Sequence, residues 1–345
     1  MSDANDATPT VALFSLGGTI AMKQSPSGGA VPSLSATDLV ASVPGLAESG
    51  IDLAVHDVRQ VPGASLTLDD VIGVASAVQR SLDEGAAGAV VTQGTDTIEE
   101  TSYLLDLLCT GPAPVIVTGA MRNPSMIGRD GPANLLAGVQ VAADPKARGL
   151  GCVVVFGDEI HAARYVHKGH STSPATFVSP NSGPLGYVTE GYPHIFATPP
   201  PQVRIPIAAL DNVPSARVGL VTMSLGDDGE VLRAMVGRVD GLVIAGFGAG
   251  HIPAAVVPTL ADIAHRIPIV LSSRTGAGRV LRHTYGFPGS EKDLLEQGLV
   301  SARYLDPFKA RLLLFTLLRS GADAATIAGT FAQAAGEAPA GATTP

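Results

Sequence analysis

The sequence predicts an α/β protein with two domains: a larger N-terminal domain whose mostly parallel sheet is flanked by helices, and a smaller C-terminal α/β domain. Apolar runs of strand length alternate with periodic segments of helix length along the 345 residues, which is the pattern of βαβ units. Between Thr198 and Ser215 the chain is too rich in proline for a helix or a central strand. Such a segment suits a connection between domains.

Apolar runs predict the strands of both sheets. The predicted strands, five before the proline-rich segment and three after it, are Thr10–Leu16, Ile51–Asp57, Gly88–Thr92, Val115–Gly119, Cys152–Phe156, Val218–Met223, Leu242–Ala245 and Pro268–Ser272. We expect a catalytic domain, a linker, a second domain and a disordered tail rich in Ala, Pro, Gly and Thr, over residues 1–200, 201–216, 217–335 and 336–345 respectively.

Composition and charge narrow the classes of partner. The chain has a net charge of −9 and no cluster of basic residues, which argues against nucleic acid and anionic membranes as partners. The densest apolar stretch, Leu312–Leu318, is too short to cross a bilayer, and Met1–Asp6 lacks the pattern of a secretory signal. Cys109 and Cys152 have neither metal-binding nor redox spacing. We expect a cytoplasmic protein whose partners are small molecules and further copies of the chain.

A hydroxyl follows the first predicted strand. The apolar run Val11–Phe14 leads into Gly17, Gly18 and Thr19, so Thr19 is delivered where a buried strand ends. Open α/β sheets place their chemistry at such strand ends, and a threonine held there is a candidate nucleophile. A turn or capping role is the commoner one for an isolated threonine at such a place.

The segment Gln93–Thr101 follows a second strand and holds two further candidates. Thr97 and Glu100 have the spacing of a capping box, which predicts that they start a helix. Thr95 and Asp96 precede this cap and are free to face a cleft. Asp96 is placed to bind an α-ammonium group, and nearby helix amides favour a carboxylate or an oxyanion.

Lys168 is the candidate base for a threonine nucleophile. A neutral lysine amine can accept a hydroxyl proton when burial or cationic neighbours lower the lysine pKa, whereas most lysines are solvated surface residues. His161, His167 and His170 surround Lys168, but their spacing matches no established zinc pattern. The glycines of Gly246–Gly250 have the spacing GxGxG, which does not match a dinucleotide fingerprint. We therefore expect no metal and no cofactor.

Two of these segments together carry a family resemblance. GGTIA at Gly17–Ala21 and GTDT at Gly94–Thr97, followed by two glutamates, have the order and spacing of the bacterial-type L-asparaginase/glutaminase family, the threonine amidohydrolases. The chain resembles this family from about Val11 to Ala334. The resemblance implies hydrolysis of the side-chain amide of L-asparagine to L-aspartate and ammonia. It also implies that Thr19 is the nucleophile and that Thr95, Lys168 and Asp96 assist it.

The family likeness extends to binding residues and assembly. It implies substrate contacts from a set of backbone and side-chain groups at Gly18, Ala64, Ser65, Gly94 and Ala120, with Ala120 acting through its carbonyl. It implies a lid over the site, which falls on the glycine- and serine-rich loop from Gln24 to Ala30. It also implies a homo-oligomer, a tetramer or dimer, whose sites are completed between subunits.

The sequence departs from the family in the substrate-contacting groups. The lid lacks the usual tyrosine near Gly29 and Ala30, Ala64 stands where a serine is usual, and Gln93 replaces a frequent histidine. His251 stands near a usual asparagine, and no counterpart of a partner-subunit glutamate is evident around Thr284 and Tyr285. We expect weak apparent affinity and a preference for asparagine over glutamine. Hydrolysis of a related amide such as glutamine, and a non-catalytic amino-acid-binding paralogue, remain the alternatives.

Overall fold

The computed structural model describes residues 8–24, 28, 30–32, 35–200, 203–211 and 213–334. Contacts divide the chain into two compact units, Met1–Pro199 and Pro200–Pro345. Each unit has a sheet with parallel strands, so the predicted α/β class is confirmed. Most of the predicted lid, residues 25–27 and 29, and the whole predicted tail lie outside the described residues.

The first unit is built on one large sheet. The described strands of this unit are β1 Thr10–Ser15, β2 Met22–Gln24, β3 Ala30–Pro32, β4 Asp52–Asp57, β5 Gly88–Thr92, β6 Val115–Thr118, β7 Cys152–Phe156, β8 Glu159–Ala162, β9 His167–Lys168, β10 Phe177–Val178, β11 Gly186–Thr189 and β12 Tyr192–Ile195. Strands β2 and β3 pair with each other, as do β9 and β10, and the other eight form the large sheet. The sheet has the order β12-β11-β8-β7-β6-β5-β1-β4. The five neighbouring strands β7, β6, β5, β1 and β4 pair in parallel, as predicted. Strands β8, β11 and β12 extend the sheet in antiparallel pairs.

Helices flank this sheet: α1 Ala36–Ala41, α2 Leu68–Asp83, α3 Ile98–Leu108 and α4 Gly131–Ala143. Helix α2 starts at a capping box, in which Thr67 Oγ1 accepts from Asp70 N at 3.1 Å and the Asp70 carboxylate accepts from Thr67 N at 3.1 Å. Such a cap stabilises a helix by about 1 kcal/mol. Helix α3 is buried along most of its length, and because it follows the carboxyl end of β5 after one short turn, its first residues lie near the carboxyl edge of the sheet.

The second unit has a smaller sheet, in the parallel order β13-β14-β15-β16, formed by β13 Val218–Thr222, β14 Gly241–Gly246, β15 Ile269–Ser273 and β16 Val300–Ser301. Its helices are α5 Glu230–Met235, α6 Val257–Ala264, α7 Glu291–Glu296, α8 Pro307–Arg319 and α9 Ala324–Ala334. Across the described parts of both units, no helix has the length and hydropathy needed to cross a bilayer.

Part of the predicted linker packs on the second unit. Residues Ile207–Leu210 form a 3₁₀ turn in which Leu210 is fully buried. The Leu210 carbonyl accepts from Arg319 Nε of α8 at 3.2 Å. The domain limits given above stay a prediction, with this turn belonging to the second unit.

Three glycines let separate turns approach at the carboxyl edge of the large sheet. A methyl group added at Gly18, after β1, would lie 2.0 Å from Gly94 N, after β5. One added at Gly94 would lie 2.9 Å from Gly63 N, in the turn before α2. Gly18 also has a φ of +81°, which side-chain-bearing residues rarely adopt. Main chain therefore packs directly on main chain at this edge.

We predict that Gly18→Ala destabilises the protein by about 2–5 kcal/mol, because it adds both a steric overlap and an unfavourable φ. Gly73→Ala is the matched control: Gly73 lies inside α2 with open space around it, so the substitution is expected to stabilise by up to about 1 kcal/mol. Urea midpoints measure both effects. A Gly18→Ala midpoint equal to that of the wild type would contradict the described contact.

Candidate active site

The predicted site residues of the first unit converge at the carboxyl ends of parallel strands. Thr19 follows β1 and opens a 3₁₀ turn, Thr95 and Asp96 follow β5, and Ala120 follows β6. Parallel neighbours end at the same edge, and the packing of Gly18 on Gly94 brings the adjoining Thr19 and Thr95 to one place. Thr19 is half-buried, whereas Ala120 is buried.

Lys168 of β9 joins this edge from a distant part of the sequence. Its Nζ donates to Thr95 Oγ1 at 3.0 Å and to Asp96 Oδ1 at 2.8 Å, across 73 and 72 residues respectively. The Lys168 side chain is 14% exposed, Thr95 is 6% exposed and the Asp96 side chain is 63% exposed. The structure therefore brings three of the four predicted catalytic residues into direct contact.

This contact suits proton transfer in either direction. An ammonium at Lys168 donates to Thr95 Oγ1, whereas a neutral amine can accept from the same hydroxyl without any movement of the heavy atoms. The carboxylate of Asp96 lies on the solvent side of the amine and the hydroxyl of Thr95 lies on the buried side. The amine can thus exchange protons between water and a buried hydroxyl.

The predicted helix start at Thr97 is confirmed, because α3 begins at Ile98, but the predicted cap bond of the Thr97 side chain is wrong. Thr97 does precede α3, but its φ of −123° and ψ of 15° are not those of a capping residue, and its side chain makes no cap bond. Its hydroxyl donates to Gly63 O at 3.2 Å and accepts from Gln93 Nε2 at 3.1 Å. A long-range carbonyl has replaced the helix amide as its partner, so Thr97 ties the turn before α2 to the start of α3.

The predicted binding residues lie around the glycine contact. Gly18, Gly94 and Ala120 are buried, so they offer mainly backbone groups. Ala64 and Ser65 are exposed in the 3₁₀ turn Gly63–Ser65, whose first residue packs on Gly94. Their side chains are accessible beside the site, and their roles stay predictions.

The carboxylate of Asp130 holds the loop after Ala120. The two oxygens accept from Met121 N and Arg122 N, each at 2.9 Å. Asn134 Nδ2 adds a bond to Gly119 O at 3.0 Å. These bonds fix the backbone on both sides of Ala120, and the DGP turn at the start of a helix is the signal that could have indicated them.

The carboxylate of Glu99 joins α3 to β9. Glu99 lies in the first turn of α3 with its side chain 9% exposed. Its Oε2 accepts from His167 Nδ1 at 2.8 Å and from Lys168 N at 3.1 Å. Because the partners are 68 and 69 residues away, no local pattern could have revealed this contact.

In the second unit, His251 belongs to an aromatic cluster. Its Nε2 lies 3.2 Å from Glu291 Oε2, and its ring centroid lies 4.8 Å from that of Tyr285 and 5.0 Å from that of Phe287. Burial opposes ionisation of Glu291, but hydrogen bonds from backbone amides, including those of Tyr285 and Thr284, and from His251 hold its pKa below the usual value. A buried carboxylate thus orders the Thr284–Tyr285 segment.

The histidines near Lys168 have protein partners. His161 Nδ1 lies 3.0 Å from Ser179 Oγ, His167 contacts Glu99, and His170 Nδ1 accepts from Thr172 N at 3.0 Å. Over the described ranges, no group of three or more His, Cys, Asp or Glu side chains could hold a metal ion.

The fold and the site together have the parts that acyl transfer requires: a hydroxyl, an amine and a carboxylate at the carboxyl edge of a parallel sheet. A family model described as "Asparaginase, N-terminal" matches residues 10–201, and one described as "Glutaminase/Asparaginase C-terminal domain" matches residues 217–331. The chain therefore belongs to the asparaginase family.

Individual relatives agree over nearly the full length. The chain is 37% identical over 330 residues to "Probable L-asparaginase" of Deinococcus radiodurans, covering 94% of this chain and 98% of the relative. It is 32% identical to "L-asparaginase" of Bacillus licheniformis, covering 90% and 95%. The crystal structure of "Probable Cytoplasmic L-asparaginase" from Campylobacter jejuni matches with a TM-score of 0.83 at 29% identity, covering 94% and 99%.

We predict that protonation of His161 destabilises the fold in acid. His161 is buried in β8, and burial lowers its pKa although Glu159, 3.0 Å away, opposes that shift. The unfolded chain therefore binds a proton below about pH 6.5 that the folded chain refuses, so the free energy of unfolding falls as pH falls. One such proton gives at most about 1.4 kcal/mol per pH unit.

Urea unfolding from pH 7 to pH 5 measures this slope. His161→Gln is expected to flatten it, and His194→Gln, at an exposed position of β12, is expected to leave it unchanged. An equal slope in wild type and His161→Gln would show that another group governs the acid sensitivity.

Proposed function

We propose that the chain hydrolyses the side-chain amide of L-asparagine to L-aspartate and ammonia. The observation that carries the proposal is the contact of the Lys168 amine with Thr95 and Asp96, beside the packing of Gly18 on Gly94. Family membership and the names of the relatives support the same reaction.

In this proposal, Thr19 is the nucleophile. Its hydroxyl oxygen attacks the amide carbon, and its proton passes to the Thr95–Lys168 pair. When the carbon–nitrogen bond breaks, the nitrogen takes up a proton and leaves as ammonia, and water then releases L-aspartate from Thr19. Lys168 is suited to this exchange because its amine already contacts a buried hydroxyl.

The remaining predicted residues would bind the substrate. Asp96 has an exposed side chain that can pair with an α-ammonium, and the Ala120 carbonyl can accept from the amide nitrogen. Backbone groups at Gly18 and Gly94 can approach the substrate closely because no side chain intervenes. Ala64 and Ser65 border the same place. We also propose that the protein acts in the cytoplasm, and the similar Campylobacter jejuni structure, which is described as that of a probable cytoplasmic L-asparaginase, supports this.

We expect Thr19→Ala and Thr95→Ala each to lower turnover of L-asparagine by at least about 10³-fold, because a nucleophile and its proton acceptor act as one unit. For the same reason the double variant should be little worse than either single variant. Ammonia release measures all three, with L-glutamine assayed in parallel. Wild-type turnover by Thr19→Ala would remove Thr19 as nucleophile, and binding of asparagine without ammonia release would favour the non-catalytic alternative.

Lys168→Met is expected to abolish turnover, because it keeps the length of the side chain and removes the amine. Lys146→Met, at an exposed lysine of the same unit, is the control and should keep wild-type turnover. Circular dichroism verifies that both variants fold. Ammonia release by Lys168→Met at the wild-type rate would exclude Lys168 as the base.

We further propose a homo-oligomer, a tetramer or dimer, on the strength of the family resemblance. Closed symmetric assemblies are the commonest form of soluble oligomer. Light scattering at micromolar concentration should give a mass that is a multiple of the 34.9 kDa chain. A single species of one chain mass would contradict the proposal.

A further inference from the structure

We propose that Glu99 is a positioning residue for Lys168: its buried carboxylate holds the backbone of β9 so that Lys168 Nζ reaches Thr95 and Asp96. The inference rests on the proposed amidohydrolase function, because it assigns a role in the same site. It concerns a residue that does not touch the reacting groups and acts through Lys168.

One carboxylate oxygen contacts both residues of β9. Glu99 Oε2 accepts from the Lys168 amide at 3.1 Å and from His167 Nδ1 at 2.8 Å. Lys168 is therefore held at its two ends, at its backbone nitrogen by Glu99 and at its Nζ by Thr95 and Asp96. All three of these partners lie within five residues of one another, in the turn before α3 and in its first turn. A movement of β9 away from α3 would therefore break the hydrogen bonds of Lys168 at both its backbone nitrogen and its Nζ.

Burial of the Glu99 carboxylate costs hydration free energy, so a role in packing alone does not explain why a charged side chain is buried here. An apolar side chain of similar volume would fill the space without the loss of hydration that a carboxylate suffers. The first turn of a helix reduces that cost because its free amides favour negative charge, and the His167 ring supplies a compensating N–H. The two hydrogen bonds that this buried carboxylate accepts, from His167 and from the Lys168 amide, are the ones that fix β9.

Strand β9 depends on such contacts because it is short. It has two residues and pairs with β10, with Lys168 opposite Phe177 and His167 opposite Val178. Ser179, the residue directly after β10, contacts His161 of β8 at 3.0 Å, which anchors the far side of the hairpin. Glu99 supplies the corresponding anchor on the side that faces α3. The hairpin is thus held from both sides while it presents Lys168.

The test compares the kinetics of Glu99 variants. Glu99→Ala is expected to lower kcat for L-asparagine about 10- to 100-fold with KM changed less than about threefold, since a displaced base slows chemistry rather than binding. Glu99→Gln keeps an acceptor oxygen and should recover at least half of the logarithmic loss. Glu100→Gln, one residue away, is the matched control and should keep the wild-type kcat. A Glu99→Ala enzyme with wild-type kcat would overturn the proposal.

A crystal structure of Glu99→Ala separates this proposal from the proposed function. Positioning predicts that Lys168 Nζ moves out of hydrogen-bond distance of Thr95 Oγ1, from 3.0 Å in the wild type. An unchanged distance refutes positioning whether or not the wild type releases ammonia. A wild type that hydrolyses no amide refutes the function alone, because the distance is still measured.

A second pair of variants covers the case in which Glu99→Ala does not fold. His167→Leu removes the ring N–H that accompanies Lys168 N at Glu99 Oε2, and His167→Asn keeps an N–H donor at the same place. If Glu99 positions Lys168, kcat should fall in His167→Leu and return toward the wild-type value in His167→Asn. The two variants should have the same melting temperature. Equal kcat in the two variants would contradict the positioning role.

Discussion

The packing of Gly18 on Gly94 is the constraint on which the site depends. A single methyl group at Gly18 would lie 2.0 Å from Gly94 N, so the two strand ends meet main chain to main chain. Parallel pairing of β1 with β5 brings these ends to the same edge, and the absence of side chains allows contact. Thr19 and Thr95, which directly follow these two glycines in the turns after β1 and β5, are brought to the same part of the edge. Their chemistry is a result of backbone geometry.

A second layer of contacts brings an amine to this edge. Lys168 lies between the buried hydroxyl of Thr95 and the exposed carboxylate of Asp96, a polarity that separates the reacting side of the amine from its solvent side. Holding a long, flexible side chain in one geometry costs conformational entropy. The structure offsets that cost by fixing the backbone from which the side chain extends, through Glu99 on one side and the β10 ladder on the other.

Local patterns predicted the α/β class and the parallel strands of both sheets except the two-residue β16, since these predictions depend on neighbours in sequence. The site residues of the two glycine-threonine segments were predicted from their chemistry and from the family resemblance. The antiparallel extension through β8, β11 and β12 was missed because four-residue strands carry little periodicity. The roles of Glu99, Asp130 and Thr97 were missed or misassigned for another reason. Each side chain takes a partner from a different turn or strand, so propensity and spacing carry no record of the choice.

The central claim is that amide hydrolysis takes place where Gly18 and Gly94 meet, between Thr19 and the Thr95–Lys168–Asp96 group. A crystal structure with the product L-aspartate bound tests it most directly. The account predicts density at this edge, with the side-chain carboxylate of the product within hydrogen-bond distance of Thr19 and Thr95 and its ammonium against Asp96. Aspartate bound at another place, with this edge occupied by solvent, would contradict the account.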